Sequence, residues 1–180
     1  MAEPNLFLSH GASGSAAAMI PWADAIMLQE SRLRAATVPA EGRLPMRVER
    51  ALEVYAECIH SSPGAVIGGI SYGGRVASML AAAGADVSGL VLLSYPLHPS
   101  GKIDQQRVQH LSKIRCPVLF LSGESDPFAR LDLLRAAVAS LPGAELHTYP
   151  GVGHGLSRSA EVMADAVARL AAFSRRVLGR

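Results

Sequence analysis

Three short, almost unbroken apolar runs constrain this chain more than any other feature. They are Ala65-Val66-Ile67, Leu90-Val91-Leu92-Leu93 and Val118-Leu119-Phe120-Leu121. A strand with one wet face alternates apolar and polar residues, and these do not. Runs of this kind suit strands covered on both faces, as in a parallel sheet sandwiched between helices. The segments between them carry helical patterns. In residues 45–60, Val48, Leu52, Tyr55 and Ile59 recur at spacings of four, three and four, one face of a helix. Helices are also expected over 16–30, with Pro21 near the first turn or breaking it, and over 74–83, 131–141 and 157–178. Strands are expected over 5–9, 35–39 (weakly), 65–70, 90–94, 118–122 and 144–149. This alternation predicts an α/β fold, a doubly wound, mostly parallel sheet in one domain spanning 1–180. With 180 residues, 49% of them hydrophobic, the chain is long enough to bury a sizeable core.

Charge narrows the function classes. Net charge is only +2, and the basic residues, fifteen arginines and two lysines, are scattered. No basic patch interleaved with aromatics argues for nucleic acid. No stretch approaches a membrane span, and Met1-Ala2-Glu3-Pro4 does not open a secretory signal, so a cytoplasmic protein is the expectation. Cys58 and Cys116 are expected as buried free thiols. No His/Cys/Asp cluster has metal-ligand spacing, and neither a metal nor a cofactor is expected.

The run Gly68-Gly69-Ile70-Ser71-Tyr72-Gly73-Gly74 sits where strand 65–70 gives way to helix 74–83. Gly-x-Ser-x-Gly at such a junction makes a nucleophile elbow, a strained turn that lifts the serine hydroxyl clear of the backbone. Glycine and serine are common in this chain, so the pattern alone is weak. A phosphate-binding loop is the other reading of a glycine run after a strand. It needs Gly-x-Gly-x-x-Gly or a terminal Gly-Lys-Ser/Thr, and neither is present.

Serine needs a histidine to take its proton, and the histidine needs a carboxylate to hold its tautomer. Both stand just after predicted strands. Gly123-Glu124-Ser125-Asp126-Pro127-Phe128 follows strand 118–122, and Gly151-Val152-Gly153-His154-Gly155-Leu156 follows strand 144–149. Sites in parallel sheets collect at such strand ends. Ser71, Asp126 and His154 are therefore the candidate catalytic residues, and their order along the chain is that of α/β-hydrolases. Asp126 also suits a helix cap, and Glu124 is the rival carboxylate. The backbone N–H of Tyr72 and one from His10-Gly11-Ala12-Ser13-Gly14, Ala12 first and Gly11 as the fallback, would hold an oxyanion. His10 reads as a loop-packing residue. His60, ending a helix, His110, on a helix, and His147, in a strand, read as structural or solvated. Tyr95, Leu97, Phe128 and Leu156 follow the catalytic strand ends and are the expected pocket lining, with ordinary packing as the alternative.

These segments resemble the α/β-hydrolase superfamily over nearly the whole chain. More narrowly they are similar to its small dienelactone hydrolase-like branch, whose eukaryotic relatives include a subunit of the NSL chromatin complex. The resemblance is carried by His10-Gly11-Ala12, by Gly69-Ile70-Ser71-Tyr72-Gly73-Gly74-Arg75-Val76-Ala77-Ser78 and by Tyr95-Pro96-Leu97-His98-Pro99-Ser100-Gly101-Lys102. Cys116-Pro117-Val118, Gly123 to Phe128 and Gly153-His154 complete it. It implies about six parallel strands, no lid domain after strand 90–94, and a first strand equivalent to the third in larger relatives. True dienelactone hydrolases use cysteine where this chain has Ser71, so their substrate is not implied. The expected activity is a serine-dependent hydrolysis of an ester or thioester of a small acyl substrate. A binding or scaffold role on the same fold, or a cofactor-free perhydrolase, are the alternatives.

Overall fold

Six strands form one sheet in the order β2-β1-β3-β4-β5-β6, and every neighbouring pair is parallel. They are β1 (Leu6–Ser9), β2 (Ala35–Val38), β3 (Ala65–Ile70), β4 (Val87–Leu93), β5 (Val118–Gly123) and β6 (Glu145–Tyr149). Five α-helices cover it among the described residues: α1 (Ile20–Gln29), α2 (Val48–Ile59), α3 (Tyr72–Ala82), α4 (Leu131–Ala139) and α5 (Ala160–Leu178). The structure is a computed structural model that describes residues 3–39 and 46–179. Pro45, which opens the predicted second helix, lies outside them. No helix among the described residues is long and apolar enough to cross a membrane.

Side chains alternate across each strand, which is why the apolar runs had to be unbroken. Leu6, Leu8, Val91, Leu93, Leu119 and Leu121 face one layer, packed on Trp22 and Ile26 of α1 and on Val167, Leu170 and Phe173 of α5. Phe7, Ile67, Leu90, Leu92 and Phe120 face the other, against Tyr55, Val76 and Leu134 of α2, α3 and α4. Each large side chain buried this way stabilises the fold by roughly 1.5–3 kcal/mol before entropy is counted.

Several boundaries differ from the sequence reading for local reasons. The first helix is broken into a 3-10 turn, Ala16–Met19, and α1, with Pro21 in the first turn of α1, where its missing N–H has no helical partner to lose. Strand β4 starts at Val87 and ends at Leu93, and Ser94 leaves it with φ 49°. The terminal helix starts at Ala160, where the Ser159 hydroxyl accepts from the Val162 N–H at 3.3 Å, and Leu156–Arg158 is a separate 3-10 turn. The β4–β5 connection holds only one 3-10 turn, Leu111–Lys113, so His110 caps that turn rather than riding a helix. Cys58 and Cys116 are free but half-buried, not fully buried, since each packs at the edge of a layer. Burial still pushes the Cys116 thiol up to about 11.

Tyr55 reaches from α2 into the seam between β1 and β3. Its hydroxyl accepts the Gly68 N–H at 3.0 Å and has one proton for two carbonyls, Phe7 at 2.8 Å and Gly68 at 2.7 Å. Burial raises its pKa far above the ordinary phenol value, so the hydroxyl stays neutral there. Tyr55→Phe strands a buried N–H and a carbonyl. The expected cost is about 1–3 kcal/mol, read as a lower urea midpoint with an unchanged slope.

Candidate active site

The chain leaves β1 toward β2 on one side and β3 toward β4 on the other. A sheet opens a crevice where its strand order reverses in this way. The loop 10–14 lies on one side of that crevice and Ser71 on the other.

Ser71 has φ 51° and ψ −114°, a conformation that an L-residue adopts only when its surroundings force it. The forces are visible. Ser71 N–H donates to Leu93 O of β4 at 2.8 Å, and Ser71 O accepts the Arg75 N–H at 3.0 Å as α3 begins. The two flanking glycines allow the turn to seat on the end of β1. A Cβ at Gly69 would stand 2.3 Å from Ser9 O, and one at Gly73 2.5 Å from Ser9 O and 2.6 Å from His10 O. No side chain fits there.

A second bare contact joins the other two loops. A Cβ at Gly123, the last residue of β5, would stand 2.2 Å from Val152 O and 2.3 Å from Gly153 O. Glu124 N–H donates to Tyr149 O at 3.0 Å and Ser125 N–H to Val152 O at 2.9 Å. The acid loop and the histidine loop are thus one unit. From it, His154 Nε2 comes 2.8 Å from Ser71 Oγ, and His154 Nδ1 comes 2.8 Å from Asp126 Oδ2. The Asp126 side chain is fully buried, and its other oxygen accepts the Phe128 N–H at 2.8 Å. A carboxylate only accepts, so the neutral imidazole carries its proton on Nδ1 and offers Nε2 to the serine. The Phe128 ring lies 4.6 Å from the imidazole, centroid to centroid. Glu124 is turned away: its carboxylate accepts from Thr148 Oγ1 at 2.7 Å.

Tyr72 is the first residue of α3, so its N–H has no intrahelical acceptor. Among the described residues neither it nor the Ala12 N–H donates to a backbone carbonyl. Gly11 lies against Ser71, where an added Cβ would meet the serine Cβ at 3.6 Å. Its carbonyl is engaged within the loop, by Gly14 N–H at 3.0 Å and by Nδ1 of the buried His10 at 2.7 Å. All of these groups border one cleft of about 830 Å³, with Met19, Trp22 and Phe128 among its apolar walls.

The family profile described as "Alpha/beta hydrolase domain" matches residues 3–178. The chain belongs to this alpha/beta hydrolase family. Solved structures agree on the fold. A monoacylglycerol lipase of Paleococcus ferrophilus superposes with a TM-score of 0.77 at 14% identity, covering 98% of this chain and 97% of the lipase. A CIB-like hydrolase of Thermoplasma acidophilum gives 0.71 at 21% identity, covering 98% and 89%. An esterase of Pyrobaculum calidifontis gives 0.73 at 18% identity, covering 97% and 76%.

The expected pocket lining needs correction in this α/β hydrolase. Phe128 borders the cleft, but Tyr95, Leu97 and Leu156 are buried in the core layers. The connection after β4 folds back under the strand ends, with His98 N–H on Phe128 O at 3.0 Å, and carries its side chains inward. Tyr95 packs edge-on to Phe120, and its hydroxyl donates to Arg107 O at 2.8 Å. Residues that sequence reasoning passed over stand in the cleft instead: Met19, Trp22, Arg75 and Arg107. Arg75 was legible, since it lies one helical turn beyond Ser71. His98 was also missed. Its Nδ1 donates to Pro99 O at 2.9 Å and its Nε2 accepts the Arg130 N–H at 3.1 Å, which ties the connection to the segment following Asp126.

His110 packs beneath α3, its Nε2 donating to Ser78 Oγ at 2.8 Å while Ser78 donates to Arg75 O at 2.7 Å. Burial first, and then the Arg75 charge, hold its pKa below the ordinary imidazole value. Between that lowered value and the unfolded value near 6.5, the unfolded chain binds more protons than the folded one. The stability from a neutral His110 is therefore full above pH 6.5 and lost as pH falls through the folded pKa. Urea midpoints measured from pH 7.5 to 5 should decline less steeply in His110→Gln than in the parent protein.

Proposed function

We propose that this protein is a serine hydrolase that cleaves a carboxylic ester or thioester of a small acyl substrate through an acyl-enzyme. The observation that carries this reading is the relay from Ser71 Oγ through His154 to Asp126, at 2.8 Å on each side, opening on one cleft. Membership of a hydrolase family supports it. The resemblance to the dienelactone hydrolase-like branch belongs to the same proposal, with serine in place of cysteine.

Ser71 Oγ attacks the substrate carbonyl carbon as its proton passes to His154 Nε2. Asp126 holds the ring and stabilises the imidazolium that forms. The carbonyl oxygen becomes an oxyanion, received by the N–H groups of Tyr72 and Ala12, each donor of this kind contributing about 10²–10³-fold in kcat. His154 then gives its proton to the departing alcohol or thiol. Water, deprotonated by the same imidazole, attacks the acyl-enzyme and frees Ser71. The elbow puts the hydroxyl next to the start of α3, so the positive end of that helix faces the developing charge.

Ser71→Ala should lose labelling by a fluorophosphonate probe and about 10⁴–10⁶ in kcat on p-nitrophenyl acetate. Unchanged turnover would overturn the reading, and absent labelling of folded parent protein would favour a scaffold. The two carboxylates give a sharper comparison. Asp126→Asn should lower kcat by about 10⁴-fold, whereas Glu124→Gln, whose partner is Thr148, should stay within a few-fold of the parent. The reverse ranking would move the acid role to Glu124.

A further inference from the structure

Three arginines line the cleft beside the reactive serine: Arg75 from the first turn of α3, Arg107 from the β4–β5 connection, and the exposed Arg47 at the start of α2; Arg75 and Arg107 are the two that burial holds there. Five other arginines pair with carboxylates at the surface: Arg50 with Glu53, Arg130 with Asp132, Arg169 with Asp165, Arg175 with Glu30 and Arg176 with Glu145. Among the described residues, neither Arg75 nor Arg107 has a carboxylate within 4.0 Å. Arg75 Nε is buried and, among the described residues, finds no hydrogen-bond partner. Glu49, at the exposed start of α2, influences Tyr72 but pairs with neither arginine.

The pair is also held in place. Arg107 N–H donates to Leu97 O at 2.7 Å, and Arg107 O accepts from Tyr95 Oη at 2.8 Å. The arginine therefore enters the cleft from a backbone fixed to the core. Burial and the Arg75 charge both lower the Arg107 pKa, as expected for like charges facing one space without an acid between them. A buried guanidinium nitrogen without an acceptor is costly. Fold stability alone does not account for Arg75, with its unpartnered Nε, lining the same cleft as a second half-buried arginine, while a bound anion offsets both charges.

We propose that Arg75 and Arg107 form an anion subsite, and that the substrate is an ester or thioester with an apolar body and one carboxylate or phosphate group. The guanidinium fork matches both oxyanions through paired hydrogen bonds, and Met19, Trp22 and Phe128 give the rest of the cleft its apolar surface. The substrate class rests on the Ser71 hydrolase reading; the anion subsite itself does not.

Two matched pairs of esters test the preference. One is the p-nitrophenyl monoester of glutaric acid against p-nitrophenyl methyl glutarate, with the charge on the acyl side. The other is 4-acetoxybenzoate against its methyl ester, with the charge on the leaving side. After subtraction of spontaneous hydrolysis, the anionic member of at least one pair should have the higher kcat/KM, by about tenfold or more. The ratio should fall toward one in Arg75→Gln and Arg107→Gln, be partly kept in Arg107→Lys, and shrink in about 1 M salt. Equal rates within both pairs, or a preference that survives both glutamine variants, would overturn the subsite.

Calorimetric titration of the Ser71→Ala protein with monomethyl glutarate and with methyl phosphate reads binding without turnover and separates the two anions. Binding that is lost in either glutamine variant supports the subsite even if no ester is cleaved, in which case only the hydrolase reading fails. Ester cleavage without anion preference and without anion binding leaves the hydrolase reading and removes the subsite.

Discussion

The contact of bare backbone on bare backbone at Gly69 and Gly73 is the constraint from which the rest of the site follows. Because no Cβ intervenes, the turn after β3 sits directly on the Ser9 and His10 carbonyls at the end of β1. That seat forces Ser71 through the left-handed region, at a cost of about 1–3 kcal/mol that the surrounding sheet and helix must offset. It also fixes the distance between the serine and the loop 10–14. The same device recurs at Gly123, where β5 ends against the carbonyls of Val152 and Gly153. Two close approaches thus gather four loops into one site, and the 2.8 Å spacings are set by main chain rather than by flexible side chains.

Electrostatics divides the cleft into two regions. On one side a fully buried carboxylate is committed to an imidazole and a backbone N–H. On the other stand Arg75 and Arg107, which among the described residues have no carboxylate within 4.0 Å. The connection after β4 serves both. His98 ties it to Arg130, in the segment that follows Asp126, and Tyr95 and Leu97 hold the backbone of Arg107. One irregular stretch of chain therefore positions parts of both regions from the core side.

Much of this was legible in the residues. Unbroken apolar runs named the central strands; Ser71 and Asp126 follow two of them, and His154 follows the edge strand β6. What escaped has physical reasons. Val87-Ser88-Gly89 lacks apolar continuity, so the start of β4 is set by pairing with β3 and not by pattern. Periodicity places Tyr95 and Leu97 after a strand end but does not say whether they turn to cleft or core; long-range hydrogen bonds decide that. Arg107 lies in a polar stretch without a period and reaches the cleft through the same bonds. Strand order is equally silent, since alternation sets faces and not neighbours.

The left-handed serine has one more consequence. Its relay partners lie 28 residues apart in one case and 83 in the other, and no short piece of the chain can bring them together. The strained turn is free to relax once β1 lets go of it, and the hydroxyl then loses its place beside the imidazole. A nascent or partly opened chain therefore lacks the relay, which forms only with the completed sheet. The Ser71–His154–Asp126 arrangement is in this sense a property of the whole native state rather than of residue 71.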